Sequence, residues 1–387
     1  MQQISKILES LKQESNFREL FVQIHNGKHI YKNNKKLLNL ASNNYLCAND
    51  FVDEFLDSKL FSDNLHFSSS SSRSLSGSFS VFFEFEEYLS EVFNKESLLF
   101  NSGYHANVGI VSALASLDNV LFVVDKSIHA SVIDGLKGFK KTNFKRYLHN
   151  DMESLEIILQ DSSKYEAVFV VSEGLFSMEG DFAKLQELVS LKKKYKNMYL
   201  YIDEAHSIGI VGRSGLGLSH YYKLLDEIDI LILTFGKAIS SFGACVLCYG
   251  EFRDYFINKA RSLIYSTALP PLSVAMSYFV FKKLESMQDR REHLSDISKY
   301  LKDSLKQLPY EIMGDYNIIS IVLKENKKAV HFQKMLEERG YYLPAIKEPT
   351  IPKNKALLRI SLCSNFGYEE LSLFVRDIIE IDNEYLS

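Results

Sequence analysis

The chain has 387 residues, 46% of them apolar and 24% charged, with a formal net charge of −4. Those values fit an ordinary soluble globular protein of two or three domains with ample material for a core, and a slightly acidic chain offers no electrostatic footprint for nucleic acid. Charges interrupt every apolar run over residues 1–10, and no run approaches the roughly 18 residues of a membrane span, so the expected setting is cytoplasmic, with no signal peptide and no membrane contact.

Apolar residues at positions 4, 7, 8 and 11 predict an amphipathic helix. Residues 28–40 read as a β-hairpin turning at Asn33-Asn34. A polar and aromatic loop follows over 41–46. Residues 68–80 are dense in serine and include Arg73 and Gly77. Phe67, Phe79, Phe82 and Phe83 flank them, which predicts an ordered loop rather than a flexible serine linker.

From residue 97 to 250, short apolar runs alternate with helical stretches such as 105–117 and 185–195. The runs are 97–100, 120–124, 167–171, 198–202, 228–233 and 243–249. Most are apolar at consecutive positions, as in strands buried on both faces of a parallel sheet covered by helices. Ligands of such sheets bind beyond the carboxyl ends of the strands. Four runs end in polar or ionisable groups: Asp125 and His129, Ser172 and Glu173, Asp203 to His206, and Thr234 with Lys237. That repetition predicts one shared active site. A lysine delivered at the end of a buried strand is suited to covalent chemistry with an aldehyde cofactor.

Beyond Pro270-Pro271 the pattern changes to long helices (272–288 and 292–307), a strand at 318–323, a helix at 330–339, a strand at 357–362 and a final helix at 368–381. The expected organisation is an N-terminal helix and hairpin segment (1–44), a large domain (45–271) and a smaller α+β domain (272–387). Of the four cysteines, Cys245 and Cys248 form a C-x-x-C inside a strand-like run, which predicts core residues rather than a redox or zinc pair.

Four other chemistries fail on residues. Asp203-Glu204-Ala205-His206 spells an acidic helicase box, but the phosphate loop it needs has Leu231 for its first glycine and Ala238 after Lys237. Gly215 and Gly217 begin a dinucleotide loop that lacks its third glycine. No serine-hydrolase elbow and no metal-ligand spacing of histidines occurs, so no metal is expected.

Several stretches, in order and spanning about 40–365, resemble one family. They are Asn101-Ser102-Gly103-Tyr104, Asp125-Lys126-Ser127-Ile128-His129-Ala130-Ser131, the run from Ser172 to Asp181, Asp203 to Gly209, Thr234-Phe235-Gly236-Lys237-Ala238, Ile264 to Pro271, and Pro349-Thr350-Ile351-Pro352. The chain resembles the α-oxoamine synthases, fold-type I enzymes that use pyridoxal phosphate. Two departures stand out. Serines 68–72 replace a glycine-rich loop, and serine tolerates positive φ less well than glycine; Phe82 occupies a position where many relatives have histidine.

The resemblance implies an α/β fold: a large domain with a mostly parallel central sheet covered by helices, plus the smaller α+β domain. It implies that Lys237 holds pyridoxal 5'-phosphate and then takes the α-proton of the amino acid. Asp203 would pair with the ring nitrogen, His206 would meet the phenolic oxygen, and His129 would stack on the ring and help position the acyl carbonyl. Gly103, Tyr104, Ser177 and Thr234 would hold the cofactor, with Thr267 reaching it from a second subunit of a homodimer. Arg359 would grip the amino acid's carboxylate, with Asn43, Arg18, Thr350 and His129 as further substrate contacts.

The implied reaction is a decarboxylative condensation. Within the family the likeness leans, through His149-Asn150-Asp151 and the run from Tyr265 to Pro271, to the members that join L-alanine to a pimeloyl thioester on coenzyme A or acyl carrier protein. Glycine with acetyl-CoA is the alternative, and a catalytically silent binding protein of the same fold is a remote one.

Overall fold

All six predicted runs become strands, and a seventh joins them. The computed structural model describes residues 2–138, 142–348 and 350–386; Pro349, which opens the last family-like stretch, lies outside them. The seven strands form one sheet in the order Glu96–Phe100, Ala244–Cys248, Ile230–Thr234, Met198–Asp203, Ala167–Glu173, Val120–Asp125, Asn143–Tyr147. Ala244–Cys248 runs antiparallel to both neighbours, and every other pairing is parallel. The inner strands are buried at nearly every position, as consecutive apolar runs require. The added strand, Asn143–Tyr147, is the sheet edge, exposed at all but its last residue. It carries no apolar run and escapes the pattern search for that reason.

Cys245 and Cys248 lie in the antiparallel strand, second from the sheet edge, both buried and unbridged. Three positions apart on a strand, they face opposite sides of the sheet. Burial pushes the Cys248 thiol up to about 12 and the Cys245 thiol well above its ordinary value. These are core side chains, as expected.

By compactness the chain divides into two units: residues 46–177 with 182–291, and residues 1–45 with 178–181 and 292–387. This differs from the expected three-way division. The N-terminal segment belongs to the same unit as the C-terminal residues, through a parallel pairing of Tyr341–Tyr342 with Leu38 and Asn39. Pro270-Pro271 marks a helix start rather than a unit boundary. Pro271 opens Pro271–Lys283, where its missing N–H would have had no helical acceptor anyway. A short 3-10 turn, Leu284–Met287, then leads into Gln288–Leu305, and the change of unit falls inside that helix.

In the smaller unit the predicted hairpin is His29–Lys32 with Lys35–Asn39, turning through Asn33 and Asn34 at φ 50° and 62°. Two consecutive positive φ values define the turn type whose twist suits a hairpin, and asparagine tolerates them. A second sheet in this unit pairs Glu311–Met313, Ile318–Lys324, Ala356–Ser361 and Ala345–Ile346, all antiparallel.

The serine-rich loop of the larger unit is ordered. Buried Ser69 donates to the Leu269 carbonyl at 2.5 Å, and Ala268 N–H donates to the Ser71 carbonyl at 2.9 Å. Arg73 makes a two-pronged pair with buried Glu86 at 2.8 and 3.1 Å and lies over the Phe82 ring. The aromatic position that departs from the family is therefore a stacking platform for Arg73. Ser70 does adopt positive φ, at 54°, so the loop accepts the serine at that cost. Among the described residues no helix is long and apolar enough to cross a membrane.

Candidate active site

In the larger unit, four strand ends supply the polar groups. Lys237 lies in the turn after Ile230–Thr234, with its Nζ 2.9 Å from His206 Nε2. That turn is pinned at three points: Phe235 N–H to the Gly243 carbonyl, Ser241 N–H to the Phe235 carbonyl, and Ser240 N–H to the Lys237 carbonyl. His206 is buried on the turn after Met198–Asp203.

Asp203 ends that strand and is 4% exposed. Its Oδ1 accepts the Ala205 N–H at 2.9 Å, and its Oδ2 accepts Asn107 Nδ2 at 2.8 Å. Its neighbour Glu204 does a different job. Fully buried, it accepts the N–H groups of Leu218 and Ser219, each at 2.6 Å, and the Ser207 hydroxyl. Burial pushes its carboxyl up and those hydrogen bonds oppose the push. Glu204 thus holds the glycine-containing turn at Gly217, where φ is +90°. The two carboxylates of the acidic box therefore have separate surroundings: Asp203 is held by Asn107 and the Ala205 N–H, and Glu204 by the turn at 217–219.

His129 caps Ala130–Lys137: its Nδ1 accepts the Ser131 N–H at 3.2 Å and lies 2.7 Å from Ser131 Oγ. The residue keeps accessible surface, yet its imidazole is held below the ordinary histidine value, first by loss of solvation. Lys237 adds to that depression, while Asp203 and Asp134 oppose it.

Gly103 opens the helix Gly103–Leu114, capped by the Ser102 side chain. A Cβ at Gly103 would come within 2.5 Å of Thr234 Cγ2, so only glycine fits against that strand end. Gly103 and Tyr104 are first-turn residues, whose N–H groups have no acceptor within the helix. The Tyr104 hydroxyl donates to Asp134 Oδ2 at 2.7 Å. Thr234 is buried, with its hydroxyl 3.4 Å from the Ala205 carbonyl. Ser177 is half-buried in a turn closed by the Leu175–Phe182 bridge and anchored by Gly174 N–H on the Asp203 carbonyl. Thr267 is exposed, and its carbonyl accepts Asn101 Nδ2 at 2.7 Å.

In the smaller unit, Arg359 projects from Ala356–Ser361, with Nη1 3.3 Å from Asn43 Oδ1 and 2.7 Å from Ser361 Oγ. Asn43 Oδ1 also accepts the Tyr45 hydroxyl at 3.1 Å. Burial raises that phenol to about 12, against the pull of Arg359. Arg18 and Thr350, far apart in sequence, meet: Arg18 Nη2 donates to Thr350 Oγ1 at 2.8 Å. Lys347 joins them, its amine lowered by burial first and by Arg18 second.

The sequence reading missed Asn107, Tyr201 and Ser131, which bond to one another and to Asp203 and His129. One signal was available: a buried amide among the small and apolar residues of the helix Gly103–Leu114 needs partners.

The aminotransferase class I and II family matches residues 35–378, and the chain belongs to it. A Glaesserella parasuis protein provisionally named 8-amino-7-oxononanoate synthase is 43% identical over 96% of this chain and 98% of its own length. Among solved structures, serine palmitoyltransferase from S. paucimobilis, with a bound pyridoxal phosphate–myriocin adduct, superposes with a TM-score of 0.88 at 25% identity, covering 98% of this chain and 97% of that one. 8-amino-7-oxononanoate synthase from Francisella tularensis gives 0.74 at 27% identity, over 90% of this chain and 99% of that one. The architecture shared with these structures is the fold-type I one.

Proposed function

We propose that the chain is a pyridoxal-phosphate-dependent acyltransferase that condenses L-alanine with a pimeloyl thioester, releasing CO2 and free thiol and giving 8-amino-7-oxononanoate. The observation that carries the cofactor reading is the convergence of Lys237, His206 and Asp203 at adjacent strand ends. The similarity to 8-amino-7-oxononanoate synthases over almost the full chain supports the substrate choice.

The donor set fits the group. The glycine cradle at Gly103, the free first-turn N–H groups and the Thr234 hydroxyl suit a phosphate. The Lys237 amine suits an aldehyde, and the buried Asp203 carboxylate suits a protonated ring nitrogen. When bound, pyridoxal phosphate supplies an electrophilic carbon and an electron-accepting ring. Lys237 holds the cofactor and later moves the α-proton of the amino acid. His206 faces the same amine and hydrogen-bonds beside it. Ser177 adds a hydroxyl, and His129 presents its ring and Nε2. Arg359, oriented by Asn43 and Ser361, binds the substrate carboxylate. The Arg18–Thr350 pair contacts the acyl substrate.

A homodimer completes the reading. Phe67, Leu75, Phe83 and Tyr265 of the larger unit are 82%, 80%, 53% and 72% exposed, and Thr267 lies beside Tyr265 in sequence. Large apolar side chains left this open favour burial against a second copy. Four buried, unbridged cysteines accord with the cytoplasm.

The test pairs alanine, glycine and serine with pimeloyl, acetyl and palmitoyl thioesters on coenzyme A and acyl carrier protein, reading products by mass. Alanine with a pimeloyl thioester should turn over best. Turnover of glycine with acetyl-CoA, and none of alanine with pimeloyl thioester, overturns the substrate assignment.

A further inference from the structure

Asn107 is 1% exposed and spends its whole amide on the site. Its Nδ2 donates to Asp203 Oδ2 at 2.8 Å and to Ser131 Oγ at 3.0 Å, and its Oδ1 accepts the Tyr201 hydroxyl at 2.6 Å. Tyr201 is buried two positions before Asp203 on the same strand, so both side chains face Asn107. The direction of each bond follows from chemistry. His129 Nδ1 accepts the Ser131 backbone N–H and therefore carries no proton. Ser131 Oγ, 2.7 Å from that bare nitrogen, must then donate to it and accept from Asn107. A flipped amide would set an oxygen against both Ser131 Oγ and the Asp203 carboxylate, leaving acceptor facing acceptor.

Resting on the cofactor reading above, we propose that Asn107 is a positioning residue. One amide fixes the rotamer of the Asp203 carboxylate and, through the Ser131 hydroxyl, holds His129 as the neutral tautomer with its proton on Nε2. Chains of hydrogen bonds that share one direction reinforce each other. Two consequences bear on the reaction. Asp203 keeps one lone pair on each oxygen for a ring N–H. His129 presents a neutral ring, not a cation, to whatever stacks on its face, and its Nε2–H points out from the ring edge as a donor in the ring plane. The depressed basicity of His129 has the same sense as this arrangement.

Two variants separate positioning from packing. Asn107→Asp keeps the shape but puts an acceptor against Asp203 and Ser131. Asn107→Leu keeps the volume and removes every bond, with Asn107→Ser as the substitute where the leucine variant does not fold. In the cofactor-free protein, histidine 15N NMR should show Nε2-protonated His129, assigned by its loss in His129→Gln. In Asn107→Asp the Ser131 hydroxyl turns to the new carboxylate, and the His129 titration moves upward; Asp203, Lys237 and Asp134 face the ring in both proteins.

In cofactor titrations followed by absorbance, Asn107→Leu should bind pyridoxal phosphate about 10- to 100-fold more weakly. Asn107→Asp should bind it at low pH, where the two carboxyls share a proton, and lose it as pH rises. Folded variants with an unmoved His129 titration and wild-type cofactor affinity at every pH overturn the proposal. A wild-type protein that takes up no pyridoxal phosphate overturns the cofactor reading instead, and the His129 titration still decides the bond direction.

Discussion

Asp203 and Asp125 end two strands of the same sheet, both buried, yet their hydrogen bonds differ in kind. Asp125, with no exposure at all, accepts three donors from its own surroundings: Ser127 N–H at 2.8 Å, His149 Nδ1 at 2.9 Å and Asn150 N–H at 3.0 Å. Two of its donors come from the His149-Asn150 segment. Asn150 in turn donates to the Phe182 carbonyl, and His149 lies edge-on to Phe176, so this carboxylate anchors the turn that carries Ser177. Among the described residues, Asp203 accepts the Ala205 N–H and Asn107 Nδ2, one per oxygen. Asp125 is taken up mainly by donors that hold its own turn, whereas Asp203 is held at both oxygens with an acceptor site left on each, which is what the proposed contact with a ring N–H needs.

That contrast sets the predictions. Asp203→Asn should cut turnover about 10²- to 10³-fold while costing about 1–2 kcal/mol of stability, read from steady-state rates and the denaturant midpoint. Asp125→Asn should do the reverse, costing about 2–4 kcal/mol because His149 and two N–H groups lose an anion, with turnover per folded molecule falling less than tenfold. Equal effects of the two substitutions on both readouts would erase the distinction.

The smallest effect is on pH dependence. His129 has a folded-state pKa below its ordinary 6.5, so below pH 6.5 the unfolded chain binds more protons than the folded one. Its contribution to stability is therefore complete above pH 6.5 and is lost as pH falls from there through the folded value. His129→Gln should flatten the fall in stability across that window; a wild-type slope in the variant assigns the pH dependence to other groups.

The sheet was legible because burial on both faces writes itself as consecutive apolar residues, and the strand-end positions of Asp203, His206, Thr234 and Lys237 follow from it. The edge strand Asn143–Tyr147 was not, because an exposed edge needs no apolar run. Neither was the association of residues 1–45 with 292–387, which depends on pairings such as Arg18 with Thr350, 332 positions apart. The supporting bonds of the site were hidden for the same reason. Asn107 reaches Ser131 across 24 positions and Asp203 across 96, and only folding brings their polar atoms within 3.0 Å. Sequence periodicity reports what is buried, not which distant donor meets which acceptor.

Lys237 is the residue proposed to hold the cofactor. Borohydride reduction of the pyridoxal-phosphate-loaded protein, followed by proteolysis and mass mapping, tests it most directly. One phosphopyridoxyl group is expected, on the peptide containing Lys237, and none in Lys237→Ala. A modified peptide elsewhere in the chain with Lys237 untouched, or no modification of a protein shown to bind the cofactor, would contradict it.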